Sequence, residues 1–202
     1  MLSEYCRMKA TLTEVVVALM VVLVCQTHAG AAEHGSMNGR TIDEMSFMAG
    51  YGEGSITEGS YRPILLICRL GYDMNRLIPD LEKHRGTFSV YMEPQVNPVI
   101  SPEADLEFGV GLGFKYSYPL TDAVSTHIFG SVGPHYISVV TRDQTNEFLF
   151  ADTIGAGFTL FLTDNTAFVA EYRLRHLSNA HLGKPNGGIN IHCGTIGYTV
   201  FF

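Results

Sequence analysis

The sequence predicts an all-β fold, an eight-stranded antiparallel transmembrane β-barrel following an N-terminal signal peptide. Three observations lead there. Apolar residues recur at every second position through most of the chain, which is the period of a strand. The opposite face carries ionisable groups, among them Arg69, Glu107, Lys115, Glu171, Arg173 and Arg175. Although 46% of the 202 residues are hydrophobic, no apolar run reaches the roughly 18 residues that a membrane helix needs.

Residues 1–32 read as the signal peptide. Arg7 and Lys9 precede the apolar run VVVALMVVLVC, residues 15–25, and the small residues of THAGAAE follow, so cleavage is expected after Ala31 or Ala32. Glu4 and Glu14 are unusual in such a leader and point to a start at Met8. Cys25 lacks the small preceding residue that lipidation requires. A polar segment at 33–43 comes next, and residues 44–202 form the barrel. The net charge is −7, and the leader's acids and bases cancel, which argues against a nucleic-acid partner. Two cysteines, Cys68 and Cys193, remain after cleavage, too few for a disulfide scaffold.

Strands are expected near 44–54, 61–73, 86–98, 105–118, 123–133, 148–162, 166–178 and 189–202. In the second, Ile64, Leu66, Cys68, Leu70 and Tyr72 oppose Arg69 and Asp73. The third sets Phe88, Val90, Met92 and Val96 against Ser89, Glu93, Gln95 and Asn97. The fourth alternates most cleanly, with Leu106, Phe108, Val110, Leu112, Phe114, Tyr116 and Tyr118 on one face and Glu107, Gly109, Gly111, Gly113, Lys115 and Ser117 on the other. In the seventh, Phe168, Ala170, Tyr172 and Leu174 oppose Glu171, Arg173 and Arg175. Short turns fall at YPLTDA (118–123) and FLTDNT (161–166); longer polar connections fall near 134–147 and 179–188.

Two closed barrels suit this pattern. A soluble lipocalin-like barrel would turn the apolar face inward, and an outer-membrane barrel would turn it toward lipid and pair its charges inside. Aromatic residues near strand ends, the charge on the other face, and a last strand ending IGYTVFF favour the membrane. By the same parity Cys68 faces lipid and Cys193 the interior, which disfavours a disulfide between them.

With both termini periplasmic, the stretch HLSNAHLGKPNGGIN, residues 176–190, lies at the external end of the last two strands. His176, Ser178 and Asn190 all take the lipid-facing parity. Polar groups in that position are functional candidates, or they are merely solvated at headgroup level. A serine needs a neighbouring base to become a nucleophile, and positions i and i+2 on a strand share a face.

The run EYRLRHLSNAHLGKPNGGIN resembles the lipid A 3-O-deacylase (PagL) family, whose pattern is roughly His-x-Ser-Asn-Ala-Gly, then Pro-Asn-x-Gly, then an acid. The resemblance implies an outer-membrane serine esterase that removes the ester-linked acyl chain at position 3 of lipid A. It assigns Ser178 as nucleophile, His176 as general base, and Asn186 as oxyanion donor, with a backbone amide near His181 as a second donor. Asn179 would fix the loop. Two positions depart from the pattern. His181 stands where the family usually has glycine, and Asn190 stands in the place of the triad acid. An amide oxygen can orient the imidazole but cannot stabilise imidazolium by charge; in serine proteases the comparable change lowers the rate by roughly 10⁴-fold.

A turn at 163–165 would set Asp152 opposite His176 as a substitute acid, on an assumed register. The bland reading makes Asp152 an ordinary loop-edge carboxylate. His176, His181 and His192 also gather near the last connection, yet no acidic or cysteine partner has a spacing with them that suits a metal site. Lys184 could attract a lipid A phosphate or simply be solvated. No metal and no cofactor are expected. Lipid A or lipopolysaccharide of the outer leaflet is the implied partner, and a homodimer stays open. The alternative to an active esterase is a barrel of the same family with weak or no activity and a structural or surface-interaction role.

Overall fold

The computed structural model describes residues 42–202 apart from 79, 82–84 and 145–146. The expected signal peptide and most of the polar segment lie outside the described residues. Eight strands follow in order: β1 (Glu44–Ile56), β2 (Gly59–Asp73), β3 (Thr87–Ser101), β4 (Asp105–Pro119), β5 (Val124–Ile137), β6 (Glu147–Thr163), β7 (Thr166–Ser178) and β8 (Ile189–Phe201). Each pairs antiparallel with its sequence neighbour, and β8 returns to β1, closing the barrel. The expected strands agree to within a few residues. β3 and β5 run further outward than anticipated, to Ser101 and Ile137. In β5 the pair Gly133-Pro134 reads as a breaker, yet Pro134 holds its place in the ladder opposite Phe150.

Alternation decides which face goes where. Phe114, Leu112, Ile154, Phe158 and Ile196 are exposed on the outer wall, whereas Arg69, Arg173 and Arg175 are fully buried inside. This inversion is the signature of a barrel solvated by lipid. Inside, four acids (Glu44, Glu93, Glu107, Glu171) meet four bases (Arg69, Lys115, Arg173, Arg175). Arg69 donates to Glu93 at 2.7 Å and to Glu171 at 2.6 Å, and Arg173 donates to Glu93 at 3.0 Å and to Glu171 at 2.5 Å. Arg175 pairs with Glu107, which also accepts from Tyr61 and Asn97. Lys115 pairs with Glu44. The Arg69 guanidinium also lies over the Tyr91 and Phe129 rings, 4.6 and 4.9 Å from their centroids. Such a network is stable only when every charge has its partner. Among the described residues, buried side chains fill the interior, as an eight-stranded barrel allows.

The external end of the interior is different. There Ile56, Leu65, Ile137, Val139, Leu149, Ala151, Leu177, Ile189 and Ile191 form an apolar cluster. Those residues point inward from the strand ends that carry the candidate site on the outside.

Candidate active site

The last residues of β7 and the first of β8 alternate between plug and site. Leu177 and Ile189 are completely buried in the apolar cluster. His176, Ser178 and Asn190 point the other way, toward lipid, with His176 and Ser178 half-buried and Asn190 exposed. Burying Leu177 and Ile189 fixes the strand rotation that presents the other three. His176 and Asn190 are direct cross-strand partners, and the imidazole Nδ1 lies 2.7 Å from the Asn190 Oδ1. An amide oxygen only accepts, so Nδ1 carries the proton and Nε2 is left with its lone pair. Nε2 is therefore the basic nitrogen, as a general base for Ser178 requires. Among the described residues the Ser178 hydroxyl makes no hydrogen bond, and catalytic contacts of this kind often tighten only with substrate bound.

Gly188, which the sequence reading did not single out, sets the ring's other boundary. Its φ is +74°, and a Cβ placed there would lie 2.5 Å from His176 Cε1 and 3.0 Å from Nε2. Only glycine meets both conditions, the left-handed backbone and the space for the imidazole.

On the other side of His176 stands Asp152 of β6, directly opposite in register, with Ser178 opposite Phe150. The pairing expected from the sequence is present here, although the turn is tighter than the expected 163–165: Thr163 pairs with Thr166, and an irregularity between Phe161 and Thr163 restores the offset. Asp152 is exposed on the outer wall, between Phe150 and Ile154 on its own strand and beside Val132 of β5. Among the described residues it has no hydrogen-bond or ion-pair partner, so the imidazole is the polar group across the ladder from it. Asp152, His176 and Asn190 form one transverse row over β6, β7 and β8.

The connection from Asn179 to Gly188 is shaped by its own amides. Asn179 is buried, and its Nδ2 donates to the carbonyl oxygens of Gly183 (3.1 Å) and Pro185 (3.3 Å). The Asn179 backbone N–H donates to Asn186 Oδ1 at 3.0 Å. With its oxygen engaged, the Asn186 side chain has its Nδ2 hydrogens left to donate, as an oxyanion donor must. Leu182 N–H donates to Asn179 O at 2.9 Å. Between them Ala180 and His181 have φ of 50° and 63°, the pattern of a type I′ turn. His181 therefore occupies a left-handed position that glycine adopts freely. That is a physical reason for glycine in the family pattern, and His181 accepts strain there.

His181 and Lys184 are exposed on this loop. His192 does not join His176: its Nδ1 lies 2.5 Å from the Tyr172 hydroxyl. Among the described residues no group of His, Cys, Asp or Glu side chains is arranged to hold a metal ion. Cys68 and Cys193 are both free.

A closed eight-stranded barrel, apolar without and charge-paired within, with a polar row at its external rim, defines the class: a β-barrel protein of the bacterial outer membrane. The particular family follows from comparison. The sequence model of the family described as lipid A 3-O-deacylase (PagL) matches residues 68–199, and the chain belongs to that family. No curated protein sequence matches it. Among solved structures, the outer-membrane enzyme PagL is 19% identical with a TM-score of 0.52, the match covering 77% of this chain and 99% of that one. Neisserial surface protein A (NspA) is 14% identical with a TM-score of 0.58, covering 79% and 96%. At these identities both likenesses concern the fold, and one barrel can carry different functions.

Proposed function

We propose that this chain is a serine esterase that hydrolyses the 3-O-linked acyl chain of lipid A, with the work of the triad acid divided between Asn190 and Asp152. The transverse row Asp152–His176–Asn190, beside Ser178 on the lipid-facing wall, carries this reading. A lone carboxylate facing lipid is unfavourable unless it serves a neighbour, and His176 is that neighbour.

Ser178 Oγ attacks the ester carbonyl as His176 Nε2 takes its proton. The oxyanion formed accepts from Asn186 Nδ2. Collapse breaks the ester C–O bond, and His176 returns the proton to the departing sugar oxygen, leaving the acyl group on Ser178. A water molecule, deprotonated by the same nitrogen, then attacks the acyl-enzyme; the C–Oγ bond breaks, His176 returns the proton to Ser178 Oγ, and the fatty acid leaves. Asn190 holds the ring with Nδ1–H toward it, and Asp152 supplies the negative charge that the imidazolium lacks on the Asn190 side. No cofactor enters these steps. Substrate reaches the site by lateral diffusion in the outer leaflet, because the row faces the bilayer.

The test is mass spectrometry of lipid A from outer membranes carrying the wild type or Ser178→Ala. Loss of one ester-linked acyl chain in the first and its retention in the second is the expected result. An unchanged lipid A in both, with the barrel folded, would favour the inactive family member that Asn190 at the acid position also suits.

A further inference from the structure

The β7–β8 connection does not stand alone. Beside it, residues 138–146 connect β5 to β6, and residues 57 and 58 connect β1 to β2. Gly187 N–H donates to the Asp143 carbonyl oxygen at 2.6 Å, and Asn186 forms an isolated antiparallel bridge with Gln144. A Cβ on Gly187 would lie 3.1 Å from that same Asp143 oxygen, so the two backbones are in close contact. Asp143 is itself anchored. Its carboxylate accepts from the Thr57 backbone N–H at 2.5 Å and from the Thr57 hydroxyl at 2.9 Å. Thr141 and Gln144 hold the loop's own shape by reciprocal bonds of 3.1 and 3.0 Å. Next to Asp143, Arg142 N–H donates to the Glu58 carboxylate at 2.6 Å.

We infer that Asp143 is a positioning residue: its carboxylate clamps the β5–β6 loop onto Thr57, and its backbone holds Asn186 and Gly187 where the Asn186 amide meets the oxyanion. The inference rests on the role given to Asn186 above. Among the described residues Asn186 has one side-chain tie of its own, to the Asn179 N–H. That bond, with those from Asn179 Nδ2 to Gly183 and Pro185, ties the loop to the residue after Ser178; the Asp143 clasp adds a second constraint from the neighbouring β5–β6 loop. Misplacement of a reacting or stabilising group by about 1 Å can lower a rate on the order of 100-fold.

The experiment compares wild type, Asp143→Ala, Asp143→Asn and Thr57→Val, all folded as judged by heat-modifiable gel mobility, on lipid A in detergent micelles. Asp143→Ala should lose roughly 10- to 100-fold in kcat with KM within about threefold, because the oxyanion forms only in the transition state. Asp143→Asn should stay within about threefold of wild type, since its oxygen still accepts from Thr57 N–H and its amide can donate to the Thr57 hydroxyl. Thr57→Val keeps the N–H bond alone and should fall between them; it decides the matter if Asp143→Ala does not fold. Full kcat in Asp143→Ala or in Thr57→Val beside an active wild type overturns the inference. So does an equal loss in Asp143→Asn and Asp143→Ala. If the wild type is inactive, the oxyanion role fails, and hydrogen exchange judges the clasp alone. Exchange at the Gly187 amide more than about tenfold faster in Asp143→Ala keeps the clasp, and unchanged exchange removes it.

Discussion

Replacing Asp152 by asparagine tests the division of labour in the proposed catalytic row most directly. The substitution keeps size and polarity and removes one charge. Directly opposed residues in an antiparallel pair have Cβ atoms about 5 Å apart, so the carboxylate and the imidazolium sit roughly 6 Å from one another. With an effective dielectric of about 20 to 40, suited to a half-wet rim, their attraction is about 1.5–3 kcal/mol. Spent in the transition state, that is roughly 10- to 100-fold in kcat. Lipid A deacylation should fall by that factor in Asp152→Asn, with the folded barrel and KM unaltered. An acid restored on the other strand should compensate: Asn190→Asp in the Asp152→Asn background should recover most of the loss, while Asn190→Asp alone adds little. Activity of Asp152→Asn within twofold of wild type, beside a dead Ser178→Ala, would refute the reasoning and leave Asn190 sufficient by itself.

Gly188→Ala should lower kcat at least on the order of 100-fold while the barrel still forms, because the new methyl occupies the space of the His176 ring; rate assays beside gel mobility check it. His181→Gly should relieve the left-handed strain at φ 63° and stabilise the loop by about 0.5–1 kcal/mol, read as slower amide exchange over residues 179–188. Glu171→Gln removes the charge that Arg69, Arg173 and His127 share and leaves one acceptor oxygen where there were two. It should destabilise the barrel by about 3–5 kcal/mol in urea unfolding from lipid vesicles, while the protein that remains folded keeps its rate.

The barrel was legible because its signal is periodic. β4 alone, with seven apolar residues from Leu106 to Tyr118 on alternate positions, separates the two faces. The opposite parity of Cys68 and Cys193, and the lipid-facing parity of His176, Ser178 and Asn190, follow from the same counting. The register placing Asp152 against His176 was expected from a turn at 163–165; the strands reach it through a tighter turn that pairs Thr163 with Thr166, and an irregularity between Phe161 and Thr163 shifts the pairing back by one. Less visible was the apolar external end of the interior. Leu177, Ile189 and Ile191 interrupt the expected charged face, and periodicity alone cannot say at what height a barrel changes its filling. Gly188 and Asp143 were missed for another reason. A glycine beside a glycine, or an aspartate in a polar loop, declares its role only when a distant strand or turn is brought against it, and the Thr57–Asp143 contact spans 86 positions of sequence.

Alternation also has a bearing on how such a protein can change. Leu177 and Ile189 answer to the fold, while His176, Ser178 and Asn190 answer to the proposed chemistry, although they are adjacent in the chain. The two texts are written on opposite sides of one ribbon and can be edited separately. An acid can become Asn190 on the outer side without disturbing a single ion pair within. The constraint tightens where the ribbon ends and the sides merge, at Asn179 and Gly188, which serve backbone and site together.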